Sequence, residues 1–164
     1  MIKYGHIRPC WDNSYKQLPY EKQPLMQSEL DMWRSQGYTH DSFSGSMYSS
    51  VNPMPTWVNS VAEQIGMYKT GFVLYRMDTM DVMPLHTDHF NTYMRVFGVE
   101  IASIVRALVF LEDWKSGHYF EAGDQAYTGW RAGDYVMWTP EVVHAASNIG
   151  VEPRYTLQIT GVIE

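Results

Sequence analysis

Five residues of this chain are of types that could do chemistry together: His86, Asp88, His144, Arg154 and Thr156. His86 and Asp88 stand two apart in the run Pro-Leu-His-Thr-Asp-His-Phe at 84–90, beside an apolar stretch that reads as a strand. Residues i and i+2 of a strand point to one face, so an imidazole and a carboxylate would be offered side by side. A third donor late in the chain would complete a two-histidine, one-carboxylate face on a metal. Such a face suits non-haem Fe(II) and leaves coordination positions open for substrate and oxygen.

A His-x-Asp pair carries little weight alone, because chance places one in roughly a third of chains of this composition. Residues further along the chain add the weight it lacks. His144 closes the run Trp-Thr-Pro-Glu-Val-Val-His, Arg154 comes ten residues later, and Thr156 shares its strand face. A planar guanidinium can grip a carboxylate through two parallel hydrogen bonds, to which a threonine hydroxyl could add a third. Arg154, Thr156, Gln158 and Thr160 alternate with Tyr155, Leu157, Ile159 and Gly161, so the last strand should carry one polar face. A polar face on a buried strand needs something to bond.

The pattern His86-x-Asp88, His144, Arg154-x-Thr156 resembles the signature of the Fe(II)- and 2-oxoglutarate-dependent oxygenases. The similarity extends over roughly 71–162. Residues 106–120 resemble the strand, turn and strand between the metal motifs in the prolyl-hydroxylase-like branch, and 133–138 resemble its approach to the distal histidine. Two features depart from that branch: Gly117-His118 stands where it usually has Gly-Gly, and Arg154 where it often has Lys. The resemblance implies a mainly β fold, a double-stranded β-helix (a cupin-like jelly roll). It implies that His86, Asp88 and His144 bind Fe(II), and that Arg154 and Thr156 bind 2-oxoglutarate. Tyr75 is a further candidate contact to 2-oxoglutarate, with Arg106 and Trp138 expected just behind the ligands. The implied reaction consumes O2 and 2-oxoglutarate, hydroxylates an unactivated C–H of a peptidyl or amino-acid side chain, and releases succinate and CO2.

These residues need elements to hold them. Met26, Leu30 and Trp33 recur at helical spacing behind Pro24, predicting a helix over about 25–36 that stops at Gly37. Trp57, Val61 and Ile65 form one stripe between Pro55 and Gly66, predicting a second over about 55–66. Residues 1–23 read as irregular, and 39–52, with Phe43, Met47 and Tyr48, as a loop or irregular strand. From Gly71 the chain turns to short β-rich runs near 72–77, 104–111, 135–138 and 155–159, separated by Gly-containing turns. The expectation is one domain over 1–164, with two helices in 1–70 packed on a jelly-roll core at 71–164.

Composition narrows the alternatives. A single cysteine, Cys10, excludes an intrachain disulfide and a Cys-rich zinc site. A net charge of −6 works against phosphate backbones and anionic membranes, so the expected partner is a small molecule or peptide, not nucleic acid. No apolar run approaches the roughly 20 residues that span a bilayer, and the first residues lack the apolar core of a signal peptide. A cytoplasmic protein is expected. His89 has the wrong parity to join His86, while His118 and Glu121, three apart, should face opposite ways. Two other readings compete. A cupin-type metalloprotein would want a second histidine where Asp88 stands, and a non-catalytic jelly-roll binding module leaves the converging ligand types without a purpose.

Overall fold

In the computed structural model, which describes residues 1–22, 25–39 and 45–163, every strand pairing is antiparallel. The strands are β1 (Ile2–His6), β2 (Glu21–Lys22), β3 (Ser46–Ser49), β4 (Met67–Met77), β5 (Asp81–His86) and β6 (Ile104–Phe110). They continue as β7 (His118–Ala122), β8 (Gln125–Tyr127), β9 (Asp134–Trp138), β10 (His144–Asn148) and β11 (Arg154–Ile163). The helices are α1 (Gln27–Ser35), α2 (Trp57–Ile65) and α3 (Asn91–Phe97). A seven-stranded sheet runs β1-β9-β6-β11-β4-β3-β2, and a four-stranded sheet β5-β10-β7-β8 faces it. This is the double-stranded β-helix expected from the strand and turn pattern.

Side-chain alternation divides the core in two. Leu74, Val109, Met137, Leu157 and Ile159 point away from the small sheet and are covered by Trp57, Val58, Val61 and Ala62 of α2. Gly66 ends that helix in the left-handed region at φ 83°, where a residue without Cβ meets no steric penalty. The opposite faces enclose Leu108, Phe110, Val136 and Trp138 with Phe120, Ala122 and Tyr127. The polar residues of β11 share this enclosed space, as parity required: Arg154, Thr156 and Thr160 are all buried.

The amino-terminal third does more than support the barrel from outside. The stretch read as irregular contains β1, which pairs with β9 from Ile2 opposite Trp138 to His6 opposite Asp134. Its apolar alternation is weak because it is an edge strand with three of five residues exposed. Ser46 to Ser49 likewise join the sheet, beside β4. A third helix, α3, went unpredicted because it buries none of its residues and so carries no apolar stripe. The two helices foreseen in 1–70 also differ in task. α2 covers the large sheet, whereas α1 sends Trp33 to the end of β5, where its indole N–H donates to Leu85 O at 3.3 Å. Pro24 and Phe43 lie outside the described residues.

The turn after β6 explains why Gly117 stands before His118. Gly117 has φ 91°, and a Cβ there would sit 2.2 Å from Gly150 N in the β10–β11 turn. The two turns touch backbone to backbone. Gly117→Ala is expected to cost about 2 kcal/mol or more of stability through strain and overlap; urea unfolding checks it, and an unchanged midpoint would remove the packing argument.

Candidate metal centre

Edge strand β5 tolerates Pro84 at the register shift between Met83 and His86, and it ends at His86. There His86 stands directly opposite His144 of β10. The register brings the two rings to a centroid distance of 4.2 Å. Each ring is oriented by the backbone two residues before it: His86 Nδ1 lies 2.7 Å from Pro84 O, and His144 Nδ1 3.1 Å from Val142 O. A carbonyl oxygen only accepts, so Nδ1 carries the proton, and the neutral ring turns the lone pair of Nε2 inward.

Asp88 completes the group, though not by strand parity. The strand stops two residues earlier, so the shared-face argument does not account for its position, and the parity argument against His89 lapses with it. Asp88 Oδ1 lies 3.8 Å from His86 Nε2, and Oδ2 lies 3.5 Å from His144 Nε2. One donor atom from each of the three falls within 4.8 Å of the others. Two donors each ~2.1 Å from one ion stand about 3 Å apart at a right angle, so small side-chain adjustments bring all three onto a single cation. Two imidazoles and a carboxylate on one face are a donor set for a divalent transition metal.

Electrostatics favour the same protonation states. Burial pushes the His144 imidazole down to about 4, so the ring is neutral at pH 7. Burial raises Asp88, but the Arg106 guanidinium is the largest opposing influence, and the carboxyl sits below its ordinary value. Arg106 Nε lies 3.2 Å from Asp88 Oδ2 as an ion pair, with its N–H not aligned for a hydrogen bond. Arg106 is therefore paired with the Asp88 carboxylate. Trp138 packs on His144 at a centroid distance of 4.8 Å.

A second polar group lies on the inward face. Thr156 pairs with Tyr75 across β4 and β11, and Arg154 stands two residues before it. Arg154 crosses between the sheets, donating from Nη1 to Tyr119 O at 2.7 Å. Among the described residues, its Nε and the Thr156 hydroxyl are buried without a hydrogen-bond partner. Burial lowers the guanidinium to about 10, which leaves it charged at pH 7. Tyr75 is raised to about 12, mainly by burial, and its oxygen accepts the Gly45 N–H at 2.7 Å. That leaves the phenol proton free to donate. Three unmatched donors and a buried positive charge are of the chemistry that a carboxylate requires.

Other candidates separate from these groups. His118 and Glu121 pair with Asn148 and Ala145 on opposite faces of β10, and His118 Nε2 bonds Glu152 O at 2.9 Å. The sequence reading missed Trp33, which meets the His86 ring edge-on at 6.3 Å, and Gly45, whose missing side chain makes room for Tyr75. Neither had a local signal. Gln158 did, through its place on the polar face of β11, and it accepts from Arg106 Nη1 at 3.1 Å.

The depressed pKa of His144 sets a pH window. Between an unfolded value near 6.5 and a folded value of about 4, the unfolded chain binds a proton that the folded one refuses. Stability of chelator-treated protein should therefore fall as pH drops from about 6.5 to about 4 and then level for this group. His144→Gln should shrink that fall, with His118, also lowered by burial, supplying part of the remainder. Thermal midpoints across the window decide it; identical slopes in wild type and variant would contradict a neutral buried His144.

The sequence matches no protein-family model and no curated protein. Solved structures match it in fold. SnoK, a non-haem α-ketoglutarate-dependent carbocyclase from nogalamycin biosynthesis, aligns with a TM-score of 0.57 at 14% identity, covering 91% of this chain and 81% of its own. A prolyl-4-hydroxylase from Pseudomonas putida aligns at 0.53 and 12%, covering 88% and 92%. A predicted oxalate decarboxylase from Thermotoga maritima aligns at 0.45 and 12%, covering 73% and 82%. At these identities the likeness is one of fold. The chain is a double-stranded β-helix with a His/Asp/His group able to hold a metal ion.

Proposed function

We propose that this protein is an Fe(II)- and 2-oxoglutarate-dependent dioxygenase that hydroxylates an unactivated C–H of an amino-acid or peptidyl side chain. The observation that carries the reading is the pair of buried donors without partners, Arg154 Nε and Thr156 Oγ1, on the inward face of the barrel that also holds the His/Asp/His group. A cupin-type metal protein or a passive binding module has no need of a buried, uncompensated guanidinium, which is costly to maintain without an anion. The fold likeness to SnoK and to the prolyl-4-hydroxylase agrees, as analogy.

His86, Asp88 and His144 would hold the metal, and Arg154 with Thr156 and Tyr75 would hold the distal carboxylate of 2-oxoglutarate. Bound iron would supply the coupling of O2 reduction to oxidative decarboxylation. In balance, R–H, O2 and 2-oxoglutarate give R–OH, succinate and CO2. The chain's own residues bind, orient and exclude water. Arg154 meets a dianion with a fixed positive charge, and Tyr75 stays protonated and donates. Phe120 and Trp138, 5.5 Å apart, close the apolar side of the interior. A cavity of about 530 Å³ beside Asp88, lined by Thr87, Ile101, Ala102, Thr139, Pro140 and Glu141, suits an amino-acid side chain. The net charge of −6 argues against a nucleic-acid substrate.

Anaerobic protein with Fe(II) and 2-oxoglutarate should show a metal-to-ligand charge-transfer band, and admission of air should release succinate. His86→Ala should lose the band. Arg154→Met should keep metal binding but weaken 2-oxoglutarate binding by about a hundredfold, as expected for removing one partner of a buried charge pair. Metal binding without succinate would leave a cupin-type metalloprotein, and retention of band and turnover in both variants would sink the proposal.

A further inference from the structure

We propose that Arg106 is the positioning residue that holds Asp88 toward His86 and His144, so that a side chain and not the strand makes this carboxylate a ligand. The assignment rests on the proposed metal site and adds a residue to it. Asp88 lies beyond β5, in a stretch at 87–90 outside both sheets. Among the described residues its carboxylate accepts no hydrogen bond; its polar contacts are an ion pair with Arg106 and close approaches to His86 and His144. The histidines cannot hold it in their ligand form. A neutral imidazole with Nε2 bare presents a lone pair to the carboxylate oxygens, and lone pairs repel. Arg106 supplies the attraction.

Arg106 is well placed for that task because the sheet and two further contacts fix it. Its backbone is locked on β6 between Trp138 of β9 and Thr160 of β11. Its Nη1 donates to Gln158 Oε1 at 3.1 Å, and its guanidinium carbon lies 5.2 Å from the centre of the Phe90 ring. Phe90 is buried and sits two residues after Asp88, so the same guanidinium meets both ends of this short segment. Order thus passes from the large sheet through Arg106 to a carboxylate whose own backbone leaves the small sheet. With side-chain exposures of 13% for Arg106 and 20% for Asp88, the contact is largely shielded from solvent screening. Because the Nε–H is not aligned on Oδ2, the attraction is one of charge at a fixed place.

The test uses Co(II) alone as probe on the full chain, followed by its visible absorption and by calorimetry. Arg106→Met keeps an apolar stem over Phe90 and removes the charge; its Co(II) dissociation constant should rise about ten- to a hundredfold, the usual loss when a ligand's supporting partner is removed. Arg106→Lys returns a point charge and should recover most of that loss. A purely structural Arg106 would give equal losses in the two variants, and an idle one would give none; either result overturns the assignment. Should Arg106→Met fail to fold, Arg106→Gln takes its place: a loss that Arg106→Lys recovers supports the proposal, and equal affinities in Arg106→Gln and Arg106→Lys overturn it. No Co(II) binding by the wild type would instead overturn the metal reading itself.

Discussion

Removing a guanidinium from water costs several kcal/mol unless its charge and protons are met, and Arg154 is buried between two sheets. One of its nitrogens is satisfied by Tyr119 O on the facing sheet, which ties the sheets together at this level. The Nε proton has no acceptor among the described residues. Such a group carries an unmet demand for an acceptor. The rest of the interior accommodates that demand. Phe110, Phe120, Trp130 and Trp138 fill the apolar half, and the polar half is left to Arg154, Thr156, Tyr75 and the residues around Asp88.

Two arginines on this inward face have different electrostatic partners, and the difference assigns them different parts. Arg106 is matched by Asp88. Arg154 is matched by no carboxylate among the described residues, only by a carbonyl oxygen. A matched arginine shapes what it is paired with, whereas an unmatched one has its charge available to an anion. Since a jelly roll hosts many unrelated chemistries, function has to be argued from contrasts of this kind and not from the barrel.

The histidine pair shows how sheet register becomes chemistry. His86 and His144 are opposite one another because β5 and β10 run antiparallel in that register. A slip of one residue would turn the ring of one strand to the other face. The same two-residue backbone feature, a carbonyl at i−2, sets the tautomer of both rings. The sheet thus delivers two like imidazoles in like orientation. The carboxylate, off the sheet, needs a separate device.

Much of this was legible in order along the chain. The alternation of Arg154, Thr156 and Gln158 with Tyr155, Leu157 and Ile159 announced a polar inward face, because strand side chains alternate whatever the strand pairs with. The stripe of Trp57, Val61 and Ile65 announced α2 for the parallel reason in helices. Residue types and spacing likewise singled out His86, Asp88 and His144. Local pattern reports burial, and so it was silent where burial is slight: edge strand β1 and surface helix α3 carried no stripe. It was also silent, or misleading, about contacts between residues distant in sequence. That Asp88 leaves its strand and leans on Arg106, that Gly45 N–H meets Tyr75, and that Trp33 flanks His86 were decided only when the sheets closed. Those contacts depend on pairing register and on where a strand stops, which no single segment encodes.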